Sequence, residues 1–369
     1  MTEDQAGIVA ARFEIRFRRF LEATGKAFDA LPEFARDAAA LVPLYAAMVR
    51  TRAFDAKAVA LQRTGRLGTY ASSLGQEAVG VGAASALSAD DVLVPSFREH
   101  GAQLWRGVTM VELLLYWGGD ERGSAFAAAR EDFPVCVPVG SHAPHAAGVA
   151  LAFKLRREPR AALCIYGDGA TSKGDVDEAL NIAGAWHLPV VFVIANNQWA
   201  ISVPRSRQTA AATLAQKAIA AGLPGEQVDG NDVIAVRDAV ERALARARAG
   251  DGASVIEALT YRLGDHTTAD DASRYRDDAE VSKHWSEEPI HRLRQYLVDA
   301  GAWDRAREEH LLADAATEVD AAVEAYLATP LQPAATIFDF TYAALPAELA
   351  AQRAAALDGA APDPAVRRG

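Results

Sequence analysis

Two short polar motifs, each at the end of an apolar run, carry the chemistry legible in this chain. Gly167-Asp168-Gly169 closes the run at 161–166, Asn196-Asn197 closes the run at 190–195, and 26 residues separate the motifs. That interval holds a turn, a helix and a return strand. Asp168 and Asn197 therefore stand at the tips of two strands of one right-handed βαβ unit and face the same edge of a parallel sheet. A carboxylate and an amide oxygen there can share Mg2+, which takes oxygen ligands, keeps few from the protein and bridges to phosphate. A helix expected from about Lys173 aims its N–H groups at the same edge, as a diphosphate requires.

Two other phosphate motifs fail on the same segment. The dinucleotide fingerprint needs Gly where Ser172 stands, and the P-loop needs Gly where Ser172 precedes Lys173. A nicotinamide enzyme is disfavoured on that ground. Asp and Asn also occur at strand tips for purely structural reasons. Both motifs at this spacing, each after its own strand, make the functional reading the stronger one.

The pair GDG and NN resembles the thiamine diphosphate motif. From about residue 41 to about residue 350 the chain resembles the α subunit of the E1 component of 2-oxo acid dehydrogenase complexes. The resemblance implies Asp168, the Asn197 side chain and the Trp199 carbonyl as Mg2+ ligands. It implies diphosphate contacts from the turn Gly167-Asp168-Gly169-Ala170, with Gly169 and Ala170 donating N–H groups, and from Arg98. Phe97 stands where relatives usually carry Tyr, so one hydroxyl contact is missing and Arg98 keeps the charge. The alternative for Arg98 is a salt bridge with Glu99. Gly140 and His142, in VPVGSHAPHAAGVA, correspond to main-chain contacts with the aminopyrimidine. His266, in the polar stretch 261–278 after a strand, corresponds to a residue that anchors the diphosphate and assists acyl transfer to a lipoyl arm. Arg262, Arg274, Tyr275 and Arg276 are read as ordering that loop or meeting the carrier, and Thr267 stands where animal relatives carry a phosphorylation switch.

The glutamate that activates the cofactor is not identified in this chain. Glu77 and Glu178 read as helix and subunit-contact residues. The resemblance places the activating glutamate on an E1 β subunit, so the expectation is an α2β2 heterotetramer serving a lipoyl-bearing E2 acyltransferase. Pyruvate is the first expected substrate, because GRLGTYASSLGQEA and RQTAAATLAQKAIAAGLPGEQVDGND most resemble the pyruvate dehydrogenase type; a branched-chain 2-oxo acid is second and acetoin third. One methylene changes discrimination by only ~1–3 kcal/mol, so sequence does not separate them. The competing class is a non-catalytic subunit that keeps the fold for assembly.

The elements that must position these residues alternate helix and strand, which predicts an α/β fold: a largely parallel sheet flanked by helices, with a helical C-terminal region. Residues 1–36 read as an arm, where apolar and basic residues alternate over 12–20 as in a short strand or a segment lying on a partner. The α/β domain spans 37–280, a helical extension of the same domain spans 281–350, and 351–369 reads as a disordered tail. Helices are expected over 37–62, 76–87, 107–117, 143–156, 209–222, 232–249, 285–300 and 304–328. Strands are expected at 92–94, at the two apolar runs, near Val228 and at 254–259. The stretch TIFDFTYAALPAEL reads as a docking segment.

Of 369 residues half are hydrophobic and 24% are charged, enough for a large core, and the net charge of −11 speaks against nucleic acid. Two cysteines without metal spacing fit a reducing compartment. No run reaches the ~20 apolar residues of a membrane span. The expectation is a bacterial cytoplasmic protein.

Overall fold

In the computed structural model, residues 9–28 and 30–359 are described; the first eight residues of the arm and the last ten of the expected tail lie outside them. The strands are β1 (Phe17–Arg18), β2 (Val92–Val94), β3 (Ala162–Gly167), β4 (Val190–Asn196), β5 (Trp199–Ala200), β6 (Val203–Pro204), β7 (Gly225–Asp229) and β8 (Ser254–Leu259). Six of them form one sheet in the order β1-β7-β8-β4-β3-β2, every pair parallel, and β5 and β6 form a separate antiparallel hairpin. The arm thus contributes an edge strand to the chain's own sheet.

β3 and β4 are apolar because both faces are covered. Leu163, Ile165, Val191 and Val193 enter one core with the helices Val42–Arg63, Glu77–Ser85 and Val233–Arg248. Their alternates Cys164, Tyr166, Phe192 and Ile194 enter a second core with the helices His142–Arg156 and Gly174–Ala185. The helix Glu77–Ser85 is buried along its whole length. A Cβ on Gly82 would meet Val236 at 3.0 Å, so the small residues set how closely this helix approaches its neighbour. A third core joins the helix Arg305–Ala328 to Val42–Arg63 and Met110–Trp117 through Phe54, Leu113, Val319 and Tyr326, which seats the C-terminal helices on the α/β body.

Three expectations are corrected. The helix expected over 209–222 is only a short turn, Leu214–Gln216, followed by Lys217–Ala220, because the Glu257 carboxylate accepts the Leu214 and Ala215 N–H groups (2.8 and 3.0 Å) and fixes where helical structure begins. The helix expected over 285–300 begins only at Pro289 and ends at Asp299, because Glu288 caps it and Pro289 occupies its first position, and a separate helix that was not expected, Asp278–Trp285, precedes it. The expected disorder from 351 is overruled as far as 359 by the helix Ala347–Gly359, whose alanine-rich sequence favours helix.

Candidate functional site

A cavity of about 210 Å³ opens beyond the carboxyl ends of β3 and β4. Gly167 and Ala195 are register partners across these strands, so Asp168 and Asn197 emerge side by side, one and two residues further on. Neighbouring strands lie about 4.8 Å apart, which brings the two side chains within reach of one ion. The eleven residues expected to hold the cofactor and its metal all line this cavity: Phe97, Arg98, Gly140, His142, Gly167, Asp168, Gly169, Ala170, Asn197, Trp199 and His266.

Asp168 is 1% exposed, and its Oδ2 accepts from Gln208 Nε2 at 2.5 Å. Burial pushes its pKa up, and Gln208 with the charges of Arg262 and Arg205 pulls it back. Among the described residues it has no salt-bridge partner. Asn197 Oδ1 accepts the Trp199 N–H (3.2 Å), and Asn197 Nδ2 donates to Gln76 Oε1 (3.0 Å). The Trp199 carbonyl accepts from Arg262 Nη1 at 3.2 Å, which leaves it one further lone pair. Trp199 lies in the hairpin β5–β6, whose flanks Gln198 (φ 73°) and Ile201 (φ 56°) are left-handed. A β-branched residue in that region is strained, and its neighbours must hold it there. Arg262 does so by donating Nη2 to the Ile201 carbonyl (2.9 Å).

The opposite wall is cationic. Arg98 is buried and donates to the Ser72 carbonyl (2.6 Å), the His266 carbonyl (2.5 Å) and His266 Nδ1 (2.9 Å). The alternative pairing with the Glu99 carboxylate does not form; what Glu99 Oε2 accepts from Arg98 is its backbone N–H (3.2 Å), not its guanidinium. Burial and the nearby Arg262 lower the Arg98 pKa to about 10. Neither Arg98 nor Arg262 forms a salt bridge with a described carboxylate. Two buried guanidiniums with no carboxylate in direct contact are costly, and an anionic ligand relieves the cost. His266 is pushed down to about 4 by burial and by Arg98 and Arg262. Arg262 Nη1 also approaches His266 Nδ1 at 3.4 Å. A nitrogen facing donors that never lose their protons is an acceptor, so the proton of the neutral ring sits on Nε2. With these two neighbours, His266 is a neutral Nε2–H donor at pH 7.

The loop after β8 is folded onto the body. Arg276 donates to the carbonyls of Arg262, Leu263 (3.2 Å) and Gly264 (3.1 Å). Thr268 and Tyr70 exchange two hydrogen bonds, and Asp270 accepts the His266 N–H (2.9 Å) and the Tyr275 hydroxyl. Behind Arg98 a buried chain runs from Trp117 Nε1 to His100 Nε2 (3.1 Å), His100 Nδ1 to the Tyr70 hydroxyl (3.2 Å), and Tyr70 to Asp55 Oδ1 (2.9 Å). Asp55 also accepts from Ser72 Oγ and the Ser73 N–H, which fixes the Ser72 carbonyl that holds Arg98. Glu77 is buried between Arg52 (2.7 Å) and the Gly75 N–H (3.0 Å), so its reading as a subunit contact is corrected: it is an internal ion pair.

Gln76, Ser96, Glu99, Tyr166, Ala195, Ala200, Ile201 and the lip residue Val139 complete the cavity wall. Sequence reasoning missed Gln76, Tyr166 and Gln208 as site residues. Tyr166 was readable as the last residue before GDG; a neutral glutamine gives no such signal. Three buried atoms of lining residues have no hydrogen-bond partner among the described residues: Gln76 Nε2, His142 Nδ1 and the Tyr166 hydroxyl. His142 Nε2 is spent on the Ile165 carbonyl (2.9 Å). No group of three His, Cys, Asp or Glu side chains fit for a metal occurs among the described residues. The set at the tips of β3 and β4 is instead the Asp168 carboxylate, the Asn197 amide oxygen and the Trp199 carbonyl, all hard oxygens suited to a divalent cation with phosphate. With the Arg98 guanidinium in the wall, without a salt bridge to a described carboxylate, and three waiting polar atoms, the residues fit thiamine diphosphate with Mg2+.

Residues 45–334 match the family model described as dehydrogenase E1 component. The chain is 45% identical over 310 residues to the 3-methyl-2-oxobutanoate dehydrogenase subunit alpha of Mycobacterium tuberculosis, with 84% of each chain covered. It is 40% identical over 313 residues, 85% of each chain, to the pyruvate dehydrogenase E1 component subunit alpha of Staphylococcus aureus, and equally so to that of Staphylococcus epidermidis. No helix among the described residues is long and apolar enough to cross a membrane.

Proposed function

The chain belongs to the dehydrogenase E1 component family as an α subunit of a 2-oxo acid dehydrogenase, and from that premise we propose that it binds thiamine diphosphate with Mg2+, works with an E1 β subunit, and feeds a lipoyl-bearing E2 acyltransferase. The observation that carries this reading is the pairing, in one cavity, of the Asp168 and Asn197 oxygens with the anion-seeking guanidinium of Arg98. When bound, thiamine diphosphate supplies an electron sink for the bond to the departing carboxylate of a 2-oxo acid.

Asp168, Asn197 Oδ1 and the Trp199 carbonyl hold the cation. The Gly169 and Ala170 N–H groups and Arg98 hold the diphosphate, and Gly140 and His142 offer main-chain groups to the aminopyrimidine. His266 presents Nε2–H to the reacting end and, once anionic ligand offsets the two arginines, carries protons during transfer to the lipoyl arm. The β subunit supplies the glutamate that activates the cofactor.

Pyruvate and 3-methyl-2-oxobutanoate are the two substrates this reading carries forward. Sequence reasoning favoured pyruvate; the greater identity to the relative named for 3-methyl-2-oxobutanoate supports the branched-chain acid. The test is dye-coupled oxidation by the co-purified α/β pair of pyruvate, 3-methyl-2-oxobutanoate and acetoin. One of the two 2-oxo acids should turn over with at least about tenfold preference, the discrimination expected from a small change in apolar fit. No turnover with any of the three would overturn the catalytic reading in favour of a scaffold subunit.

A further inference from the structure

Gln76 sits where two distant segments meet. Gly75 before it has φ +89°, and a Cβ there would meet the Tyr261 carbonyl at 2.6 Å, so only glycine brings the chain this close to the end of β8. Thr260 Oγ1 donates to the Gly75 carbonyl (2.9 Å) and holds the junction. Gln76, 6% exposed, is thereby set against Asn197 at the cavity wall.

An asparagine amide has one face that binds a cation and one that repels it. Two contacts decide which face Asn197 turns to the cavity. The Trp199 backbone N–H can only donate, so the atom it meets at 3.2 Å is Oδ1. The remaining atom, Nδ2, must then find an acceptor, and Gln76 Oε1 is that acceptor at 3.0 Å. Satisfying Asn197 costs Gln76 its own balance: with Oε1 engaged, Gln76 Nε2 is buried without a partner among the described residues. An orphaned donor is tolerated where a ligand oxygen completes it.

We propose that Gln76 is a positioning residue for the cation site: it locks the Asn197 amide with its oxygen toward the metal, and its free Nε2–H2 donates to an oxygen of the bound group. This inference rests on the magnesium–thiamine diphosphate reading of the cavity and names a residue that reading does not require. Partners that orient metal ligands are worth about 10- to 100-fold in metal affinity.

The experiment measures the Mg2+ concentration that half-saturates thiamine diphosphate binding, by calorimetry on the co-purified α/β complex. Gln76→Met, which keeps bulk and removes the acceptor, should raise it about tenfold or more. Gln76→Glu, which keeps an acceptor for Asn197 Nδ2 but gives up the Nε2 donor, should fall between wild type and Gln76→Met, a partial rescue that a packing role would not produce. In the Asn197→Asp background both side-chain atoms are oxygens, so the Gln76→Met penalty should fall below about threefold. Should Gln76→Met fail to fold, Gln76→Asn, polar but one methylene too short, takes its place with the same expectation. An unchanged Mg2+ requirement in the variant lacking the acceptor, or equal losses in Gln76→Met and Gln76→Glu, would overturn the positioning role alone. A wild-type complex that binds no thiamine diphosphate at any Mg2+ concentration would overturn the cofactor reading, and this inference with it.

Discussion

Gln208 Nε2 donates to Asp168 Oδ2 at 2.5 Å, so the carboxylate at the tip of β3 is met by a neutral amide. Gln208 comes from the short helix Arg205–Gln208 that follows the β5–β6 hairpin, and its second contact is the Val203 carbonyl at 3.2 Å. It therefore ties the hairpin that carries the Trp199 carbonyl to the carboxylate, and one amide aligns two of the three oxygens offered to a cation.

That tie predicts a graded response. Asp168→Ala should abolish Mg2+-dependent binding of thiamine diphosphate to the α/β complex. Gln208→Leu should leave binding intact but raise the Mg2+ requirement about tenfold. Calorimetric titration at several Mg2+ concentrations reads both; equal behaviour of the two variants would separate Gln208 from the cation site.

Arg98 is a buried charge whose partners are two carbonyls and a histidine nitrogen. Replacing it with Met removes a costly uncompensated charge, so the metal-free protein should be no less thermally stable than wild type. The rise in Tm that thiamine diphosphate with Mg2+ gives the wild-type complex should be lost. A variant that still gains stability from the cofactor would contradict Arg98 as its anion partner.

His266 gives a proton-linkage signature. Its pKa in the free cavity is about 4, below the ordinary histidine value, because of burial, Arg98 and Arg262. The depressed value means that the unfolded chain holds the proton more tightly, so the stability this ring contributes is lost as pH falls from about 6.5 toward 4. An anionic ligand beside Arg98 raises the pKa again. Cofactor binding at about pH 5.5 should therefore take up protons, measured as a dependence of the binding heat on buffer ionisation enthalpy. His266→Ala should remove that dependence and should impair turnover with the lipoyl carrier more than cofactor binding. Unchanged proton uptake in the variant would refute the assignment.

Glu99 lines the same cavity with its carboxyl pushed up to about 7 by burial. The folded chain holds this proton more tightly than the unfolded one, so ionisation weakens the fold as pH rises from about 4.5 through 7. Glu99→Gln should therefore raise Tm by a few degrees at about pH 8 and change it little at about pH 5. A variant with the larger gain at the lower pH would show that Glu99 is stabilised as the anion.

The strand tips were legible because β3 and β4 are buried on both faces and so read as unbroken apolar runs; their ends fell within one residue of the structural ones. The polar loop after β8 was legible as a site loop from composition, and His266 does reach Arg98. Arg276 reads there as ordering the loop or meeting the carrier, and it does order the loop; which three backbone carbonyls its guanidinium clamps leaves no pattern in sequence. Gln76 and Gln208 escaped notice for a related reason. Each acts on a residue 121 or 40 positions away through one amide, and a neutral amide signals neither charge nor periodicity. The hairpin after Asn197 was hidden because its left-handed residues, Gln198 and Ile201, are types that rarely take that conformation.

The most direct measurement is calorimetric titration of thiamine diphosphate into the α/β complex, once with Mg2+ and once with a chelator. Saturable binding that needs the metal, and that disappears in Asp168→Ala, is the predicted result. Metal-independent binding, or no binding in the wild-type complex, would contradict a cation held between the tips of β3 and β4.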